Sequence, residues 1–118
     1  MWSLLFTLPL FVVASLTIAQ PSSKQDWLTT FERSGGTRTP RYVETIEYCK
    51  RLQAASRWVK YTTFGISPQG RDLPLVILSN ERAFDPGRAA KTGKAIILIQ
   101  SGIHAGEIDG KDASLMLM

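Results

Sequence analysis

Ala95 to Glu107 reads AIILIQSGIHAGE, and five residues in a row, Ala95 to Ile99, are apolar with no polar residue between them. A strand with one face in water alternates apolar and polar positions. An unbroken apolar run fits a strand covered on both faces, in the middle of a sheet that helices enclose. The reading predicts a central strand over 95–100 and an α/β fold. In open α/β sheets, ligands bind beyond the carboxyl ends of the central strands, where the chain turns into a helix. Ser101–Glu107 lies at that position, and KDASLMLM, 111–118, runs on at helical spacing to Met118. A helical pattern that meets the chain end without Gly or Pro reads as a chain cut inside a helix.

His104 is the only histidine, and Glu107 follows three residues later. On the first turn of a helix, positions i and i+3 project to one side. A neutral imidazole nitrogen and a carboxylate suit zinc, with bonds of about 2.0–2.2 Å. Gly102 and Gly106 are expected to let the backbone turn sharply there. The same spacing also arises by chance, and a glutamate in a first helical turn is favoured by the helix dipole alone. Position after an apolar strand favours the metal reading. A catalytic zinc typically has three protein ligands and a water, so another ligand is required, and it is not a second histidine of this sequence. Asp109 and Asp112 read as dipole-favoured first-turn residues rather than catalytic ones.

Upstream, Tyr42, Val43, Ile46, Cys49, Leu52 and Ala55 recur every three or four residues and predict one apolar helix face. Thr39 is the expected N-cap and Pro40 the first helical residue. The segments RWVKYTTFGIS and DLPLVILSN, joined by PQGR, read as an antiparallel hairpin with Pro74 near a strand start or on its outer side. ERAFDPGRAAKTGK, 81–94, is expected to be a loop.

The first nineteen residues carry no charged side chain and end at the small Ala19. They read as a secretory signal peptide rather than a membrane anchor, because Pro9 interrupts them and small residues close them. Residues 20–38, polar with Trp27-Leu28 and Phe31 as apolar points, read as a leader wrapping over the domain. The expected location is secreted or periplasmic, with no stable membrane insertion after cleavage. The single Cys49 excludes an internal disulfide framework. Fourteen basic and ten acidic residues give +4, but the basic ones are scattered and do not alternate with aromatics, so nucleic acid is not an expected partner.

Taken in order, RTPRYVETIEYCKRLQAAS, the Phe-Gly-x-Ser and Gly-Arg pieces of the hairpin, the apolar strand and Gly-x-His-x-x-Glu resemble the amino-terminal part of the zinc carboxypeptidases, the funnelins, across nearly all of residues 39–118. The HAGE form looks most like bacterial exported members. The resemblance implies a three-layer αβα domain with a central mixed sheet, represented by its amino-terminal portion: helix, hairpin, central strand and the start of a helix. It implies Zn2+ held by His104 and Glu107, a zinc-activated water that attacks a terminal peptide carbonyl, and a peptide or protein substrate. Arg71, in the Gly-Arg pair, falls where the family places an arginine near the substrate groove.

The family's third ligand, a histidine, and its general base and carboxylate-binding residues lie beyond Met118, as do strands that pair with the central one. No catalytic residue is therefore expected within these 118 residues, and the chain alone is expected to be inactive. Related readings are a zinc deacylase, a cell-wall peptide amidase, or a binding module that keeps the fold without the chemistry. The segment ending at Ala19 makes Gln20 the expected start of the exported chain. Intact-mass measurement of exported protein checks this, and a retained Met1 contradicts it.

Overall fold

The computed structural model describes residues 27–118. The expected signal peptide, 1–19, lies outside the described residues. Six elements follow one another: α1 (Thr30–Arg33), α2 (Tyr42–Ala55), β1 (Val59–Ile66), β2 (Asp72–Leu78), α3 (Pro86–Lys91) and α4 (Asp109–Leu117).

α2 is the centre of the packing. Ile46, Tyr48, Cys49 and Leu52 are its buried residues, and Tyr48, Cys49 and Leu52 join Leu115 of α4 in one core cluster. Val59 and Tyr61 of β1, Val76 of β2, Trp27 and Met118 pack against it. Ile46, Cys49 and Leu52 fall on the expected face, but Val43 and Ala55 are exposed and Tyr48 is buried instead. The Tyr48 hydroxyl donates to the Trp27 carbonyl at 2.9 Å, so the ring packs inside while its polar tip is satisfied.

α2 starts later than its sequence suggests. Its N-cap is Arg41, not Thr39, and Tyr42, not Pro40, is the first helical residue. A guanidinium cannot accept a hydrogen bond, so only half of a capping box forms here. Glu44 reaches back to the Arg41 N–H at 2.7 Å and pairs with Arg38 at 2.8 Å. That backbone bond, with Arg38 beside it, holds the Glu44 carboxyl below its ordinary pKa. A lowered folded-state value means that this contribution is present above the ordinary carboxylate range and is lost as pH falls through the lowered value.

β1 and β2 pair antiparallel from Val59↔Leu78 to Ile66↔Asp72, with a register shift between Thr63 and Gly65. Phe64 is the extra residue of this bulge. Pro74, with no N–H to give, sits opposite Thr63 beside the bulge and near the start of β2, where the ladder is already interrupted. Ser67–Gly70 closes the hairpin, and Gly70 takes the left-handed conformation (φ 74°) that the turn requires. The Tyr61 N–H donates to the Gln53 side chain at 2.7 Å and ties β1 to α2.

Two expectations are corrected. The segment 81–94 is not all loop, because Asp85 caps α3 through the Arg88 N–H at 2.9 Å and Pro86 opens the helix, where its missing N–H costs nothing. Residues 95–100 do not form a strand, and their apolar side chains face solvent, Ile97 with 82% of its surface exposed. A strand exists only through its neighbours, and among the described residues no backbone hydrogen bond joins 95–103 to the rest of the chain. The only sheet is the two-stranded hairpin among the described residues, so these residues form a mixed α/β unit and do not build the three layers.

Thr39 and Pro40 have a different task from starting α2. The Thr39 hydroxyl donates to Asp112 of α4 at 2.9 Å, and Lys111 donates to Thr39, to the Pro40 carbonyl at 2.7 Å and to Asp112 at 3.1 Å. Asp112, read from sequence as a dipole residue alone, is only 4% exposed. Removing its carboxylate leaves Thr39 and Lys111 short of an acceptor in a dry place. Asp112→Ala is expected to cost about 2 kcal/mol of stability, whereas Asp109→Ala on the exposed side should cost less than about 1 kcal/mol. Urea denaturation midpoints of the two variants give the comparison.

Candidate metal centre

The segment carrying His104 is fastened at both ends to α4. The Ser101 and Ser114 hydroxyls are 3.1 Å apart, and the Ser114 hydroxyl also donates to the Gly110 carbonyl at 2.7 Å. A Cβ on Gly110 would stand 3.4 Å from the Ser101 hydroxyl, an ordinary contact, so the approach does not depend on glycine there. Downstream, the Asp112 N–H bonds to the Ile108 carbonyl at 3.1 Å and begins the helical ladder.

Between these fastenings, His104–Glu107 forms a turn closed by the Glu107 N–H to the His104 carbonyl at 3.1 Å. The pair precedes α4, whose N-cap is Ile108, and does not lie in its first turn. A single turn brings residues i and i+3 together much as a helix does, so the two side chains still meet. His104 Nδ1 is 2.9 Å from Glu107 Oε1. A carboxylate oxygen accepts, so in this contact Nδ1 is the donor.

The donor chemistry fits zinc. His104, through a ring nitrogen, and Glu107, through a carboxylate oxygen, are the side chains that would hold the metal, and both are accessible to it, being 77% and 61% exposed. Among the described residues no group of three His, Cys, Asp or Glu side chains converges. This chain's described contribution is two donors.

The two glycines of the turn differ. Gly102 has φ 71° and needs the freedom of glycine. Gly106 is not in the left-handed region, and a Cβ there would meet nothing within 4 Å, so the sharp turn expected of both glycines uses the freedom of Gly102 alone.

Arg71 stands at the end of the β1–β2 turn. Its N–H donates to the Ser67 hydroxyl oxygen at 3.1 Å, and its guanidinium stacks on the Tyr42 ring, 5.7 Å from the centroid. No hydrogen bond or ion pair joins it to His104 or Glu107 among the described residues. The structure thus brings together two of the three expected site residues. Sequence reading missed the Ser101–Ser114 contact and the Asp112 anchor, which depend on packing and leave no local motif.

The profile of the zinc carboxypeptidase family matches residues 45–118, well over half of the chain, including the hairpin, the His104–Glu107 turn and α4. The chain belongs to the zinc carboxypeptidase family. That membership supports a carboxypeptidase-like hydrolase and makes zinc the expected metal. Comparisons with curated proteins and with solved structures gave no match. No helix among the described residues is long and apolar enough to cross a membrane.

Gly102→Ala is expected to cost about 1–2 kcal/mol, the penalty of a side chain in the left-handed region. Gly106→Ala should be close to neutral. Denaturation curves of the two variants separate a turn that needs one glycine from a turn that needs both.

Proposed function

We propose that this zinc carboxypeptidase family member hydrolyses the carboxy-terminal peptide bond of peptides or proteins outside the cytoplasm, with His104 and Glu107 as two of its zinc ligands. The observation that carries the reading is the convergence of His104 Nδ1 and Glu107 Oε1 at 2.9 Å, inside the segment matched by the family. Export rests on the uncharged apolar segment that ends at Ala19.

Zinc, when bound, polarises a carbonyl and makes a water nucleophilic near neutral pH. The chain's own residues do the holding. His104 supplies a neutral nitrogen by moving its hydrogen to Nε2, and Glu107 supplies a charged oxygen that lowers the net charge of the bound cation. The Ser101–Ser114 contact and Gly102 fix the turn that carries both. Arg71 offers donors to a substrate carbonyl or carboxylate oxygen. His104 and Glu107 are two of the three protein ligands that a catalytic zinc typically has.

In the full chain, His104→Ala and Glu107→Ala should each lower bound zinc well below one per chain and reduce peptide hydrolysis by at least about a hundredfold, since a site missing one ligand no longer holds its metal. Gly106→Ala serves as the control with both properties kept. Zinc is measured by elemental analysis and turnover by release of carboxy-terminal residues from short blocked peptides. Full zinc content and turnover in His104→Ala would reduce the turn to a structural feature and favour a binding module.

A further inference from the structure

The basic residues of the described surface differ in how they are held. Arg38 is paired with Glu44, Arg88 with Asp85, Lys94 with Glu81 and Lys111 with Asp112. Each of these cations spends its donors on a carboxylate of the same chain. Arg71 does not. Its guanidinium lies over the Tyr42 ring, 5.7 Å from the centroid, and makes no ion pair among the described residues. A ring holds a guanidinium by its face and leaves the N–H donors at its edge unused.

The ring is itself held. The Tyr42 hydroxyl donates to the Asp72 carbonyl at 3.0 Å, the residue next to Arg71. Tyr42 is the first residue of α2, and Arg71 follows the left-handed Gly70, its backbone fixed by Ser67 through the carbonyl at 2.7 Å and the N–H at 3.1 Å. The backbone of Arg71 is thereby set by the turn and its side chain by the first residue of a helix well upstream.

We propose that Tyr42 is a positioning residue for Arg71: it stacks the guanidinium so that its edge donors stay free for a carbonyl or carboxylate oxygen of a peptide substrate. This rests on the reading of Arg71 as a substrate-facing residue. An unstacked arginine at a turn samples many rotamers and loses their freedom on binding. Stacking removes part of that cost in advance, which raises affinity without touching the reacting atoms.

The experiment uses the full chain and N-acetylated tripeptides, with binding followed by the Arg71 Nε–Hε NMR signal and, in parallel, steady-state KM and kcat. Tyr42→Leu should weaken peptide binding and raise KM about two- to fivefold, the effect of losing one exposed cation–π contact, with kcat and zinc content unchanged. Tyr42→Phe keeps the ring and should stay within about twofold of the parent. In an Arg71→Ala background, Tyr42→Leu should add nothing, because it acts through Arg71. A purely structural role for Tyr42 would instead give additive losses and a kcat effect. If Arg71→Ala weakens binding and Tyr42→Leu does not, or if Tyr42→Phe and Tyr42→Leu lose equally, the stacking proposal is overturned while the reading of Arg71 stands. If Arg71→Ala changes neither binding nor KM, that reading fails and the proposal with it.

Discussion

Asp112 accepts hydrogen bonds from Thr39 and Lys111 at the point where the segment leading into α2 crosses the start of α4. The contact spans more than seventy residues, and most of what matters in the described structure depends on it. Three residues further along the same helix, Leu115 enters the core beside Tyr48, Cys49 and Leu52. A polar bond and an apolar side chain, one turn apart, thus fix both the position and the rotation of α4. The exposed His104–Glu107 turn has little packing of its own and takes its place from α4 through Ser101–Ser114 and the Ile108–Asp112 ladder bond. A site on an exposed turn is only as well placed as the element it is tied to, and here that element is anchored from the far end of the chain.

Much of this was legible where the information is local. The spacing of Ile46, Cys49 and Leu52 identifies α2, and Pro-Gln-Gly-Arg between two β-rich segments identifies the hairpin with its left-handed Gly70. The His104–Glu107 contact was legible for a related reason: residues three apart in a tight turn meet whether or not the turn belongs to a helix. The α3 signal was present and misread, since Asp85-Pro86 marks a turn in one context and an N-cap followed by a first helical proline in another.

Other features were beyond the reach of local pattern. Apolar residues at 95–99 report that a segment favours burial, yet burial requires a neighbour, and among the described residues none is hydrogen-bonded to it. Asp112 shows the opposite failure. A first-turn aspartate is so well explained by the helix dipole that nothing in its surroundings announces a second role, and Thr39 likewise looks like an N-cap until its hydroxyl is found on another helix. For Asp112 and Thr39 the deciding partner is remote, and a sequence window cannot contain it.

Cys49 sits in the middle of the core cluster, 3% exposed, and burial pushes its thiol above the ordinary cysteine range. The thiolate is the reactive form, so the folded protein is doubly protected, by access and by protonation. An alkylating reagent reaches this sulfur only when α2 parts from α4 and the hairpin. Its rate of modification is therefore a clock for the breathing of the very packing that holds the His104–Glu107 turn in place, and one that ticks without any added label.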